Sequence, residues 1–216
     1  MARRELEGYR RRGPAGTTRI LIDALRRQGV GGRSLLDVGG GVGVIQHELV
    51  AAGVSRVTSV DASPAYLEAQ RVEAQQRGYA DRAVYLAGDF VAVAPDVPDS
   101  DIVTLDRVIC CYDDMPALVG ASAARANRLY GIVVPRATWW NAAGIRLANV
   151  VVRLRRSAFR AFLHPPAAIE ALLAARGLRR QYLRDTFIWR IAIYARVVPE
   201  NSSSIVREKV GATHGL

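Results

Sequence analysis

The sequence predicts an α/β protein, a mostly parallel sheet with helices on both faces. Three observations lead there. Between residues 34 and 134 short apolar runs alternate with helix-like runs, as expected of strands buried on both faces. The glycine-rich turn Gly39-Gly40-Gly41-Val42-Gly43 follows the first apolar run and opens a helix. Aspartates stand at the ends of four runs, as Asp37, Asp61, Asp89 and Asp106, and ligands of such sheets bind at the carboxyl ends of the strands.

Each element has its own signal. A helix from Thr18 to Gln28 takes Thr17 as its N-cap and stops at Gly29. Ser34–Val38 is a strand, Val42–Ala52 a helix stopping at Gly53, and Arg56–Val60 a second strand. Ser63 caps a helix with Pro64 at its first position, where the missing N–H costs nothing, and it runs to Arg77. Ala83–Ala87 and Ile102–Leu105 are further strands. Asp113 or Asp114 caps a helix through Met115-Pro116 to Ala126, and Leu129–Val134 follows as a strand. A helical stretch from Trp139 to His164 carries Arg146, Arg153 and Arg160 at seven-residue spacing, joined by Arg156, with Ile145, Ala148, Val151, Val152 and Leu154 as its apolar side. Pro166–Arg176 is helical, and Leu178–Leu183 and Ile188–Val197 are the last two strands.

Composition narrows the function. With 216 residues, half of them hydrophobic, the chain can bury a core and is not disordered. No apolar run reaches the roughly 18 residues of a membrane-spanning helix. The arginine-rich N-terminus shows no secretory signal, so a cytoplasmic protein is expected. Cys110 and Cys111 are neighbours and close no useful loop, which excludes a disulfide framework. His47, His164 and His214 are scattered, so no metal site is expected.

The net charge of +10 is almost all arginine, with Lys209 the single lysine. Genome base composition can produce that bias, so the charge is not taken as a sign of nucleic-acid binding. Its distribution says more. Residues 1–33 hold nine arginines against three acids, residues 34–124 five against thirteen, and residues 125–196 fourteen against two. An acidic half followed by a basic half suggests one surface for a cationic ligand and another for an anionic one.

The glycine turn distinguishes between nucleotide sites. A dinucleotide site needs G-x-G-x-x-G, but Gly39 and Gly41 are followed by Val44, and the register from Gly41 fails at Gln46. A phosphate loop is excluded because no Gly-Lys-Ser/Thr occurs. The pattern that fits is D-x-G-x-G-x-G, from Asp37 through Gly39 and Gly41 to Gly43. Here the chain resembles the class I S-adenosylmethionine-dependent methyltransferases over about residues 34–135. The resemblance implies a Rossmann-like seven-stranded sheet, mostly parallel with the last strand antiparallel, and S-adenosylmethionine as cofactor. Asp37, Gly39, Gly40, Gly41 and Gly43 would meet the methionine end, where a carboxylate suits an ammonium and a sulfonium. In Val60-Asp61-Ala62-Ser63, Asp61 would bind the ribose hydroxyls beside Ala62. Asp89 and Phe90 would hold the adenine, and Asp106 and Arg107 would lie beside the transferred methyl. The alternative is that these acids are helix caps and loop charges.

Methyl transfer from a sulfonium is an in-line displacement governed by positioning, and a base is needed only for a protonated nucleophile. Asp106, Tyr112, Asp113 and His164 are the candidates, set against readings as a rim residue for Tyr112, a cap for Asp113 and a turn residue before Pro165 for His164. The cysteines lack the Pro-Cys dipeptide of cytosine-carbon methyltransferases, and no Asn-Pro-Pro-Tyr type motif follows the fourth strand. Arg160-Ala161-Phe162-Leu163-His164 resembles part of the magnesium-protoporphyrin O-methyltransferases, which esterify an already ionised carboxylate. Arg12-Gly13-Pro14 and the run from Asp106 to Tyr112 resemble pieces of a group of bacterial methyltransferase-like proteins, which points to a fold and a cofactor but not a substrate.

The expected organisation is one domain over residues 1–196, with residues 1–33 as a helical lid around Tyr9 and Thr17-Thr18, residues 137–164 as a basic helical insertion, and a flexible tail over 197–216. The expected activity is methylation, preferentially on oxygen, of a small anionic or hydrophobic molecule, with no metal and no nucleic acid. The basic helix would clamp that substrate, touch an anionic membrane, or present an ordinary solvated face. A non-catalytic scaffold using its arginine face for RNA or membrane is the alternative, and a nicotinamide enzyme ranks third. The oligomeric state is not readable.

Overall fold

The computed structural model describes residues 1–155 and 160–197. Two helices, α1 (Ala2–Arg12) and α2 (Gly16–Arg27), precede the alternating part. There follow β1 (Ser34–Val38), α3 (Val44–Ala51), β2 (Arg56–Asp61), α4 (Pro64–Gln76), β3 (Ala83–Ala87), the short α5 (Phe90–Val93), β4 (Ser100–Asp106), α6 (Met115–Ala124) and β5 (Ala126–Pro135). Then come α7 (Trp139–Leu154), α8 (Pro166–Ala175) and the strands β6 (Leu178–Asp185) and β7 (Trp189–Arg196). The sheet has seven strands in the order β3-β2-β1-β4-β5-β7-β6. β7 is antiparallel to both its neighbours, so it alone runs against the rest.

The two faces follow from the period-2 alternation of side chains along a strand. Leu35, Val57, Ile102, Leu129 and Ile191 point to one side and meet Leu21, Ile22 and Leu25 of α2 and Ile45 and Leu49 of α3. Their sequence neighbours Leu36, Val103, Tyr130 and Ala192 point to the other, where they pack with Leu118 and Val119 of α6 and Ile169 and Leu173 of α8. Burial of one such leucine stabilises by about 1.5–3 kcal/mol. β1, β4, β5 and β7 are therefore apolar on both faces, which gives the continuous runs seen in the sequence.

Several boundaries differ from expectation. Thr17 is not the cap of the first predicted helix, because α2 begins at Gly16 with Ala15 in the cap position. The helix after Trp139 ends at Leu154, so Arg160 and His164 are not on it. Arg160 to Pro165 lies outside any helix and is strapped down: the Asn149 side chain pairs with both backbone groups of Ala161 at 2.8 and 2.9 Å, and Phe162 N donates to Cys110 O at 2.7 Å. The prolines at 165 and 166 restrict any helix approaching from that side. Arg156 and the tail beyond Val197 lie outside the described residues.

Candidate active site

The sheet order reverses between β1 and β4, so the crevice at their carboxyl ends is the expected binding place. The glycine turn leaves β1 there. Gly39 has φ 63° and comes so near Val108 that a Cβ would stand 2.6 Å from its Cγ2. Gly40 lies on Asp37, where a Cβ would meet Oδ2 at 2.5 Å. Either substitution would push the turn off its support. The turn is also held from behind, where Gln70 Nε2 donates to Gly41 O at 2.6 Å and Gln46 Nε2 donates to Gln70 Oε1 at 3.0 Å. His47 of α3, wholly buried, meets the Tyr79 hydroxyl with Nδ1 and Val42 O with Nε2.

Asp37 is buried beneath this turn and lines neither of the two cavities described below. Thr104 Oγ1 donates to its Oδ1 at 2.7 Å, while Oδ2 has no partner. Burial pushes its pKa up to about 7; the Thr104 bond opposes this, and the charges of Asp106 and Asp61 add to it. Asp61 closes β2 and accepts from Gly41 N at 3.1 Å and Ser63 N at 2.8 Å. Its carboxyl is raised by burial against those two bonds, with the charge of Glu5 adding to the rise. Ala62 is exposed beyond the strand end.

Asp89 caps α5 through Val91 N and accepts from the Tyr112 hydroxyl at 2.9 Å. Tyr112 is thereby pushed up to about 12, first by burial and then by the Asp89 bond. Phe90 is packed in the core with the cluster around Leu36 and lines neither of the two cavities described below. His164 Nε2 lies 2.8 Å from Tyr112 O and its ring stacks on Phe162, so it braces the strapped segment. Of the four residues considered for work on a substrate, only Asp106 lines either of the two cavities described below. Tyr112 and His164 stand apart from them, the Tyr112 hydroxyl bonded to Asp89 and His164 Nε2 to the Tyr112 carbonyl. Asp113 lies outside both cavities, and it is Asp114 that caps α6, accepting from Ala117 N at 2.9 Å.

Asp106 ends β4, accepts from Thr18 Oγ1 of α2 and pairs with Arg107 Nε at 3.1 Å. Arg107 has φ 62°, the only non-glycine among the described residues with positive φ. Such a conformation costs of order 1–3 kcal/mol and persists only when its surroundings impose it. It is also the only residue lining both of two cavities. One, of about 220 Å³, is bounded by Glu5, Thr18, the glycine turn and Asp106. The other, of about 580 Å³, is walled by Pro135, Trp140, Ile145, Phe187, Ile188 and Trp189, with Gly144, Cys110 and Cys111. Hydrogen bonding from Cys110, helped by Arg107, holds the Cys111 thiol below its usual value, while Cys110 is raised. The smaller cavity is acidic and suits a cationic group; the larger has mainly apolar walls and suits an apolar one.

The N-terminal segment forms one wall of the smaller cavity through Glu5, whose Oε2 accepts from the Tyr66 hydroxyl at 3.0 Å. Glu5, Gln46, Gln70 and Thr104 were not foreseen. Gln46 and Gln70 gave the one available hint, as polar residues at helix positions otherwise turned inward. Glu5 and Thr104 gave none, since each joins the site through a contact distant in sequence.

Residues 36–134 match the family described as methyltransferase domain. A ribosomal protein L11 methyltransferase of Dechloromonas aromatica (strain RCB) is 26% identical over 127 residues, covering 57% of this chain and 43% of that protein. The chain thus spans less than half the length of this relative. Among solved structures it is similar to the magnesium protoporphyrin IX methyltransferase of Synechocystis PCC 6803 with bound S-adenosylhomocysteine, with TM-score 0.67, 19% identity, and coverage of 84% of this chain and 82% of that one. An O-methyltransferase family protein from Burkholderia thailandensis gives TM-score 0.68 at 18% identity, over 85% of this chain and 57% of that one.

Proposed function

We propose, from the match of residues 36–134 to the methyltransferase-domain family and the likeness of the fold to S-adenosylmethionine-dependent methyltransferases, that the chain methylates an oxygen of a small, largely apolar molecule bearing negative charge. The observation behind this is the pair of cavities joined at Arg107, one acidic and glycine-lined, the other apolar.

The residues present fit the cofactor. The glycine turn leaves room for close approach of a ligand, the buried Asp37 keeps an oxygen without a partner, and the smaller cavity is bounded by acids. Gly39, Gly40, Gly41, Gly43 and Asp106 would hold the methionine end with Asp37 supporting the turn from beneath, Asp61 with Ala62 beside it the ribose, and Asp89 the adenine edge. When bound, S-adenosylmethionine supplies a methyl group on a sulfonium, open to in-line displacement. The chain's own contribution is placement. Arg107, at the junction of the cavities, offers guanidinium donors that orient a carboxylate or phenolate. The apolar walls exclude water, which strengthens that attraction.

No base is needed by this reading. Tyr112, held near 12 and bonded to Asp89, and His164, bonded to a backbone carbonyl, are both occupied away from the larger cavity. A carboxylate arrives ionised at neutral pH, so an ionised oxygen nucleophile needs neither group to take up its proton.

The test is calorimetric titration of S-adenosylhomocysteine into the wild type and Asp61→Ala. Loss of a charged acceptor costs about 1.5–3 kcal/mol, at least about tenfold in affinity. Micromolar binding weakened to that extent is the expected result. No binding to the wild type, with or without candidate carboxylate substrates, would put the non-catalytic scaffold ahead.

A further inference from the structure

Helix α7 is turned opposite to a normal surface helix. Of its sixteen residues only Asn141 is buried. The side chains that tie it to the body are asparagines: Asn141 Nδ2 donates to Arg136 O and Ile188 O, and Asn149 pairs with Ala161. Most of its large apolar side chains face solvent. Trp139 and Leu154 are each 78% exposed, Leu147 66%, Val150 54% and Val151 41%. With exposed Ala143 they recur at intervals of three and four residues, which makes one stripe along the helix. Phe187, 73% exposed in the turn after β6, stacks on Trp140 with ring centroids 5.6 Å apart and extends the patch.

The stripe is bordered by Arg146 and Arg153 on one side and by Arg155 on the other, as the 3.6-residue period dictates. No aspartate or glutamate occurs between Asp114 and Glu170. An apolar stripe edged by arginines, with aromatic rings at one end, complements the boundary between lipid headgroups and acyl chains in an anionic bilayer. A second copy fits less well, because two such helices face to face would bring arginines together with no acid to neutralise them.

We propose that α7 and the β6–β7 turn dock this protein onto an anionic lipid surface, with the apolar stripe inserted and the arginines at the headgroups. The same helix and turn wall the apolar cavity through Trp140, Ile145, Phe187 and Ile188. Docking therefore sets that cavity beside the acyl boundary, which makes the substrate a lipid-partitioned amphiphile with its charged end toward Arg107. This last step rests on the proposed reaction; the docking does not.

The test is co-sedimentation of the full chain with vesicles of phosphatidylcholine, alone and mixed with phosphatidylglycerol, at low and raised salt. The wild type binds the anionic vesicles, and salt weakens the binding. The pair Leu147→Ser/Leu154→Ser lowers partitioning by about tenfold or more through lost apolar burial. The pair Arg146→Gln/Arg153→Gln lowers it by about tenfold or more, on anionic vesicles only. Equal or absent binding to the two vesicle types, or no effect of the leucine pair, would overturn the proposal. So would a wild-type dimer that the leucine pair converts to monomer, since a second copy would then cover the stripe. S-adenosylhomocysteine affinity read on the same samples is unchanged in both pairs. Its absence from the wild type would overturn the reaction and leave docking supported by the vesicle result.

Discussion

Asp37 shows how one buried carboxyl ties the turn to pH. Its raised pKa means that the folded state holds a proton that the unfolded chain releases at about pH 4. Its contribution to stability is therefore greatest below about pH 4, falls as pH rises toward 7, and is level above that, with a slope of roughly 1.4 kcal/mol per pH unit inside the window. In Asp37→Asn this dependence is removed. The stability difference between wild type and variant, followed by thermal or urea unfolding from pH 4 to 8, should shrink from the acid side and flatten near 7. A constant difference would mean that Asp37 ionises at its ordinary value. The sequence located Asp37 but could not give its depth, because Thr104 and Gly40, which enclose it, come from a different strand and from the turn. The burial of Phe90 was hidden for a related reason, since spacing cannot tell which side of a strand end faces the core.

The element that closes the smaller cavity is α1, and its attachment is ionic. Arg10 pairs with Glu73 at 2.5 Å and also bonds Gln76, and Arg77 approaches Glu73 from the other side at 2.8 Å. Tyr9 donates to Glu48 at 2.9 Å under the guanidinium of Arg77. Burial works against the charge on Glu73, and the two arginines hold its carboxyl below the usual range. Glu73→Gln leaves two guanidiniums without their shared carboxylate, so α1 should detach. Trypsin cleavage at Arg10–Arg12 is then several-fold faster than in the wild type, and S-adenosylhomocysteine restores part of the protection. Cleavage at the wild-type rate would show that α1 is held by Leu6 and Tyr9 packing alone. The strands, the Pro64 start of α4 and the Asp114 cap were legible because their signals are local. The end of α7 was not, because the pairing of Asn149 with Ala161 spans twelve residues.

At the scale of the molecule, the strand order brings the glycine turn and Arg107 together, while α7 and the β6–β7 turn add the apolar chamber beyond them. The first half follows from strand-end aspartates that sequence can reveal, and the second from long-range packing that it cannot. The two chambers can be separated by substitution. Gly144 lines the larger one, and a Cβ there would meet nothing within 4 Å. Gly144→Phe fills that chamber, so methyl transfer falls by about tenfold or more, as displacement from near-attack geometry predicts, while S-adenosylhomocysteine binds as to the wild type. Loss of both would mean that the chambers are not independent in shape. They do share Arg107, held in a costly backbone conformation by its neighbours. A ligand in either chamber that draws this guanidinium from its pairing with Asp106 would spare the next ligand the cost of doing so. Occupancy of one side then tightens the other by the same factor in both directions, so a single strained arginine can make the two binding events cooperative without any movement of the sheet.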